Sequence, residues 1–222
     1  MKYLKKFDTQ AAYEAAQSGL ILPNVSLIEE NNKVVYNQSQ PTPPTPLYVD
    51  LGLPSGTKWR KMNVGAETET DYGDCYMYGL GSKTYDDNDS HYQGTEDPLS
   101  YSVDTARQVL GGDWHMPTSA QCQELIDNTT LTWEENFNGS GVNGGKFTAQ
   151  NGNYVFFPAG GSWYEGEKSP DGGECTYWTS TPDLSYSPKN FAYWLDVWYE
   201  GYAELNTNWR THGYSIRPVK DV

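Results

Sequence analysis

Positive charge is scarce in this chain: 15 Lys and Arg stand against 29 Asp and Glu, a net charge of −14 over 222 residues. Such a surface repels a phosphate backbone or an anionic membrane, so nucleic acid is not expected as a partner. Long apolar runs are also missing. Nothing approaches the about 18 consecutive apolar residues of a membrane helix, so no membrane insertion is expected. "MKYLKKFDTQ" opens with basic residues but has no apolar core behind them, so no secretion signal is expected either. Cysteine is limited to Cys75, Cys122 and Cys175, which form neither a C-x-x-C pair nor a zinc ligand set and read as scattered structural thiols.

Catalytic signatures are equally thin. G-x-S-x-G, Walker A and G-x-G-x-x-G patterns do not occur. The three histidines, His91, His115 and His212, form no H-E-x-x-H, and His115 in "WHMPT" reads as structural. "YDDNDSH" offers Asp86, Asp87 and Asp89 but lacks the glycine and closing glutamate of a calcium loop, so a solvated acidic loop is expected. "GSGVNGGKFTAQNG" lacks the context of a phosphate cradle and reads as a hairpin with loose turns. The expectation is a protein with no metal, no cofactor and no catalytic residues. One enzymatic alternative stays open, since among 29 acids many pairs could meet the spacing of a glycan hydrolase.

Three zones are present. In residues 1–39, Asp8 can cap a short alanine-rich helix closed by Gly19, followed by two extended segments around a polar turn. This segment reads as an attachment element, available for homo-oligomer formation. Residues 40–46, "QPTPPTP", hold four prolines and suit a stiff polyproline II spacer. Residues 47–222 show short β-prone runs broken by Gly, Asn, Asp and Pro, with two capped helices in the middle. Asp104 caps one that Gly111 stops, and Thr118 with Gln121 has capping-box spacing for the other. Helices between early and late strands predict an α+β class with a mainly antiparallel sheet and two helices.

Aromatic residues are concentrated near the C-terminus: 11 fall within the 38 residues Tyr177–Tyr214. In "FAYWLDVWY", period-2 alternation puts Leu195 and Val197 on a core face and Trp194, Asp196 and Trp198 on the other. After a Glu200-Gly201 turn, Ala203 and Leu205 mark the core face of "YAELN", leaving Tyr202, Glu204 and Asn206 outward. Burial of the tryptophans under a further layer is the competing reading. Against it stands Asp196, because an unpaired buried carboxylate is costly. Large aromatics mixed with acids and amides are the composition of a binding surface. "WYEG" also recurs, at 163–166 and 198–201, and is compatible with two glycine turns after aromatic strands.

Several phrases occur together and in a familiar order: "YVDLGLPSGTKW", "MNVGA", "YGDCYMYG", "GGDWHMPT", "NGNYVFFPAGG", "YWTSTP" and "GYSIRPV". This set resembles the C-type-lectin-fold domains of gut Bacteroidetes and their phages, a group related in fold to formylglycine-generating enzymes. It includes the variable proteins of diversity-generating retroelements, and the resemblance spans nearly all of residues 47–222. It implies a C-type lectin fold preceded by a short helical and extended segment. It also implies a non-enzymatic protein whose C-terminal face, rewritten by mutagenesis at template adenines, binds a host surface protein or glycan. The head is similar to N-termini of phage tail proteins, which implies a virion or bacterial cell-surface location. By the same resemblance, Trp178, Gly213, Ser215, Arg217 and Pro218 take scaffold roles. Tyr193, Trp194, Asp196, Trp198, Tyr199, Tyr202, Glu204, Asn206, Asn208, Trp209, Thr211 and His212 are the ligand-facing positions. No EPN, QPD or WND triplet is present, and the cysteines do not match the formylglycine-generating motif, so neither calcium-dependent sugar binding nor that activity is implied. A structural, oligomer-forming role is the remaining alternative.

Overall fold

The computed structural model describes residues 47–83, 98–165, 167–169, 172–185 and 190–221 in full, together with the backbone of three strands nearer the N-terminus. The chain divides into two units, Met1–Pro46 and Leu47–Val222. In the first, β1 (Leu4–Lys6), β2 (Val25–Glu30) and β3 (Lys33–Gln38) form an antiparallel sheet in the order β1-β3-β2. The expected alanine-rich helix, the proline spacer and the acidic loop at 86–91 lie outside the described residues.

The second unit opens with β4 (Tyr48–Asp50), β5 (Lys58–Arg60) and β6 (Tyr76–Met77), then α1 (Thr105–Leu110) and α2 (Ser119–Asn128). Next come β7 (Thr129–Glu134), β8 (Gly144–Ala149), β9 (Tyr154–Pro158), β10 (Trp163–Tyr164) and β11 (Glu167–Lys168). The chain closes with β12 (Glu174–Asp183), β13 (Phe191–Trp198), β14 (Tyr202–Trp209), β15 (Gly213–Tyr214) and β16 (Val219–Lys220). These strands make four small sheets, ordered β16-β5-β4, β11-β10-β15-β6, β7-β8-β9 and β12-β13-β14, and the paired strands of each are antiparallel.

The expected α+β C-type lectin architecture is corrected by this arrangement. Strand makes up 40% of the chain and helix 12%, and one helix reaches seven residues or more, so the class is β-rich. Both helix signals are real: Asp104 accepts from Arg107 N at 3.0 Å, and Thr118 and Gln121 complete a capping box. The difficulty is length. α1 is stopped after six residues by Gly111, whose φ of 67° suits glycine. A cap marks where a helix starts and carries no information about how far it runs. Among the described residues no helix is long and apolar enough to cross a membrane.

The β12–β14 sheet is buried on both faces of its first two strands. Cys175, Tyr177, Leu195 and Val197 join one core cluster with Trp59, Phe147 and Phe157. Trp178, Ala192 and Trp194 join a second with Tyr76, Tyr78, Met116, Tyr214 and Ile216. The last segment fastens the sheet to the rest. Trp178 N donates to Ser215 O and Ser215 N to Thr176 O, Val64 N donates to Ile216 O, and His115 and Val219 exchange two bonds of 2.9 Å.

Arg217, fully buried, donates to the backbone carbonyls of Arg60, Lys61 and Phe156 and lies 5.0 Å from the Phe157 ring centroid. A buried guanidinium is tolerable when its donors are largely met; these carbonyls serve Nη1 and Nη2, while Nε makes no hydrogen bond. At Gly213 an added Cβ would stand 2.7 Å from Met77 Cε and 3.1 Å from Trp163 Cβ, so a side chain here would require the Met77 tip to move and Trp163 to give slightly.

Candidate functional site

β13 and β14 form a hairpin closed by the Trp198–Tyr202 pair around Tyr199, Glu200 and Gly201. Gly201 takes φ 79° and donates its N–H to Trp198 O at 2.9 Å, the left-handed last residue that a three-residue hairpin loop requires. Alternation then sorts the side chains. Leu195 and Val197 are fully buried and Ala203 and Leu205 pack partly against the same cluster, each of the two buried ones contributing about 1.5–3 kcal/mol.

The opposite face is only partly open. There Tyr202, Glu204 and Asn206 on the edge strand β14 are exposed; Tyr199 in the loop is exposed too, as is Trp209 at the far strand end, where its pairing with Phe191 gives it the parity of Leu205. Tyr193, Trp198, Asn208, Thr211 and His212 are half-buried. Trp194 and Asp196, expected to face outward, are 8% and 1% exposed. That corrects the two-sided reading of β13. A second layer covers Trp194: Tyr214 of β15 packs on it at 4.9 Å and on Trp178 at 4.5 Å, and Asn208 Nδ2 donates to the Tyr214 hydroxyl at 2.7 Å. The cost expected for a buried carboxylate is present rather than avoided, because Asp196 Oδ1 has no hydrogen-bond partner.

Asp196 therefore resists ionisation. Burial, then the negative charge of Glu174, push its carboxyl up to about 7; Glu204 adds to this, while the adjacent Trp198 indole pulls the other way. Cross-strand register puts Asp196 directly opposite Glu204 and diagonal to Glu174. Glu204 accepts from the Tyr202 hydroxyl at 2.8 Å, and the Trp198 and Tyr202 rings are parallel within 5° at a centroid separation of 6.4 Å. Burial lowers the His212 pKa, and its ring stacks on Tyr164 at 4.5 Å. Exposed rings, carboxylates and amides thus occur along the hairpin.

Three members of this neighbourhood were missed by sequence reasoning: Glu174, Tyr164 and Tyr214. The recurring "WYEG" is the signal that could have found Tyr164. Trp163 and Trp198 are both half-buried at hairpin corners, and each is followed by an exposed tyrosine, Tyr164 or Tyr199. Glu174 carries no local signal, because only the register of β12 brings it alongside Asp196. No cluster of three or more His, Cys, Asp or Glu suited to a metal ion occurs among the described residues.

The chain matches no protein-family model, no curated protein and no solved structure.

Proposed function

We propose that this chain is a non-enzymatic ligand-binding protein, a phage virion or surface-display component whose β13–β14 hairpin meets a partner on the surface of a host bacterium. The observation that carries this reading is the edge strand β14 with its loop: Tyr199, Tyr202 and Trp209 are 60%, 47% and 44% exposed beside Glu204 and Asn206. Tyr199 and Tyr202 stand at the turn end of the hairpin and Trp209 at the far end of β14, and large rings exposed on a rigid sheet lose little rotamer freedom on contact and gain large contact area. The likeness of the C-terminal tract to the region that retroelements rewrite supports the same reading, since it puts variation where side chains face out on a fixed backbone.

The hydrolase alternative has one favourable feature, the facing pair Asp196 and Glu204 with the first held near neutrality. Binding is preferred because Asp196, at 1% exposure, cannot reach a glycosidic oxygen unless its cover is displaced. Labelled protein applied to intact cells of a Bacteroidetes panel tests the proposal. Saturable binding that disappears in the Tyr199→Ala, Tyr202→Ala, Trp209→Ala triple variant is expected. Sustained release of reducing sugar from host glycans, lost in Glu204→Gln, would favour the hydrolase instead.

A further inference from the structure

The face around Asp196 carries charge of one sign. Glu174 on β12, Asp196 on β13 and Glu204 on β14 share its parity, and Cys175, Tyr202 and Tyr214 are the other titratable groups that feel the charge of Asp196. None of the three acids forms an ion pair with a basic side chain among the described residues. Gathering like charges without a counter-charge is unfavourable, and more so where water is partly excluded.

Unmet polar atoms lie at the same place. Asp196 Oδ1 and the indole N–H groups of Trp194, which is 8% exposed, and of Trp198 make no close hydrogen bond, although the Trp198 indole lies near enough to Asp196 to favour its charged form. Buried polar atoms are rarely left so in a folded protein. Above them, the parallel rings of Trp198 and Tyr202 offer electron-rich faces of the kind that attract ammonium and guanidinium groups.

We infer that this face receives a lysine or arginine side chain of a partner protein, seated against Trp198 and Tyr202 within reach of Glu174 and Glu204, with Asp196 as the counter-charge beneath. The inference rests on the binding role proposed above and specifies the chemistry of the partner. A neutral glycan would leave the carboxylates repelling one another, whereas a cationic side chain reaching the exposed Glu204 from outside answers their charge. Since Asp196 is protonated below neutrality, a bound cation draws it into the charged form and a proton is released.

The test uses the full chain and two probes, acetyl-Gly-Arg-Gly-amide and its neutral counterpart acetyl-Gly-Gln-Gly-amide, followed by calorimetry. The arginine probe should bind at least about fivefold more tightly at about pH 8 than at about pH 5.5. Asp196→Asn should remove that pH dependence, and Glu204→Gln should weaken binding about fivefold or more. Glu67→Gln, at an exposed acid in another loop, should change it less than about twofold. Equal binding of both probes, or an equal effect of Glu67→Gln and Glu204→Gln, would overturn the inference. So would a neutral trisaccharide that binds more tightly than the arginine probe and improves toward acid pH. If the probe fails while the aromatic triple variant still loses cell binding, the cation assignment falls and the binding face stands.

Discussion

Two aromatic side chains of the hairpin, Trp194 on β13 and Tyr202 on β14, behave differently. Trp194 is sealed by Tyr214 and Trp178, so Trp194→Ala should cost about 3–5 kcal/mol, as deleted buried aromatics do. Tyr202→Ala removes an exposed ring and should stay within about 0.5 kcal/mol; urea unfolding distinguishes the two. Asp196 adds a pH dependence of definite sign. Its folded-state pKa of about 7 lies above the ordinary carboxylate value of 3.8, so between those values the folded chain holds a proton that the unfolded chain has released. Stability contributed by the neutral acid is present at low pH and lost as pH rises through the folded value. Asp196→Asn should therefore flatten that slope. Near pH 8 it should be more stable than the parent by about 1 kcal/mol after screening, or about 2–4 °C in Tm.

At the scale of elements, the hairpin and the capped helix were both legible in the sequence because their signals are local. Leu195, Val197, Ala203 and Leu205 alternate with a strict period of two, and that fixes which side meets the core. The burial of Trp194 was not legible, since the Tyr214 that covers it comes from β15, joined by pairing that no local pattern announces. The misjudged fold class has the same origin: Asp104 and Thr118 announced helices, while the glycine stop and the number of strands decided the class. Two substitutions follow from the local geometry. Gly201→Ala, at φ 79°, should cost about 1–2 kcal/mol, and Thr118→Ala, which dissolves the capping box, about 1 kcal/mol. Thermal unfolding monitored by circular dichroism reads both.

For the whole molecule, the net charge of −14 and the unpaired acids of the hairpin point the same way. Attachment to a cationic partner should weaken steadily as salt rises, because surface attraction is screened beyond about 10 Å at 0.1 M. Neutral, contact-driven binding would hardly change. The genomic counterpart of the proposal is a near-copy of the Tyr177–Val219 coding segment, differing only at adenines and lying beside a reverse-transcriptase gene. Sequencing of the flanking DNA checks it; a locus without such a copy would make the specificity fixed.

The claim at the centre of this account is that the exposed rings of the β13–β14 hairpin make the contact with a host surface. The most direct measurement is equilibrium binding of the labelled chain to intact host cells, wild type against the Tyr199→Ala, Tyr202→Ala, Trp209→Ala variant, with near-ultraviolet circular dichroism confirming an unchanged fold. The account predicts a loss of affinity of about a hundredfold or more, since removal of buried aromatic contacts at an interface commonly costs 2 kcal/mol or more at each of a few central residues, about. A folded variant that binds host cells as tightly as the parent would contradict it.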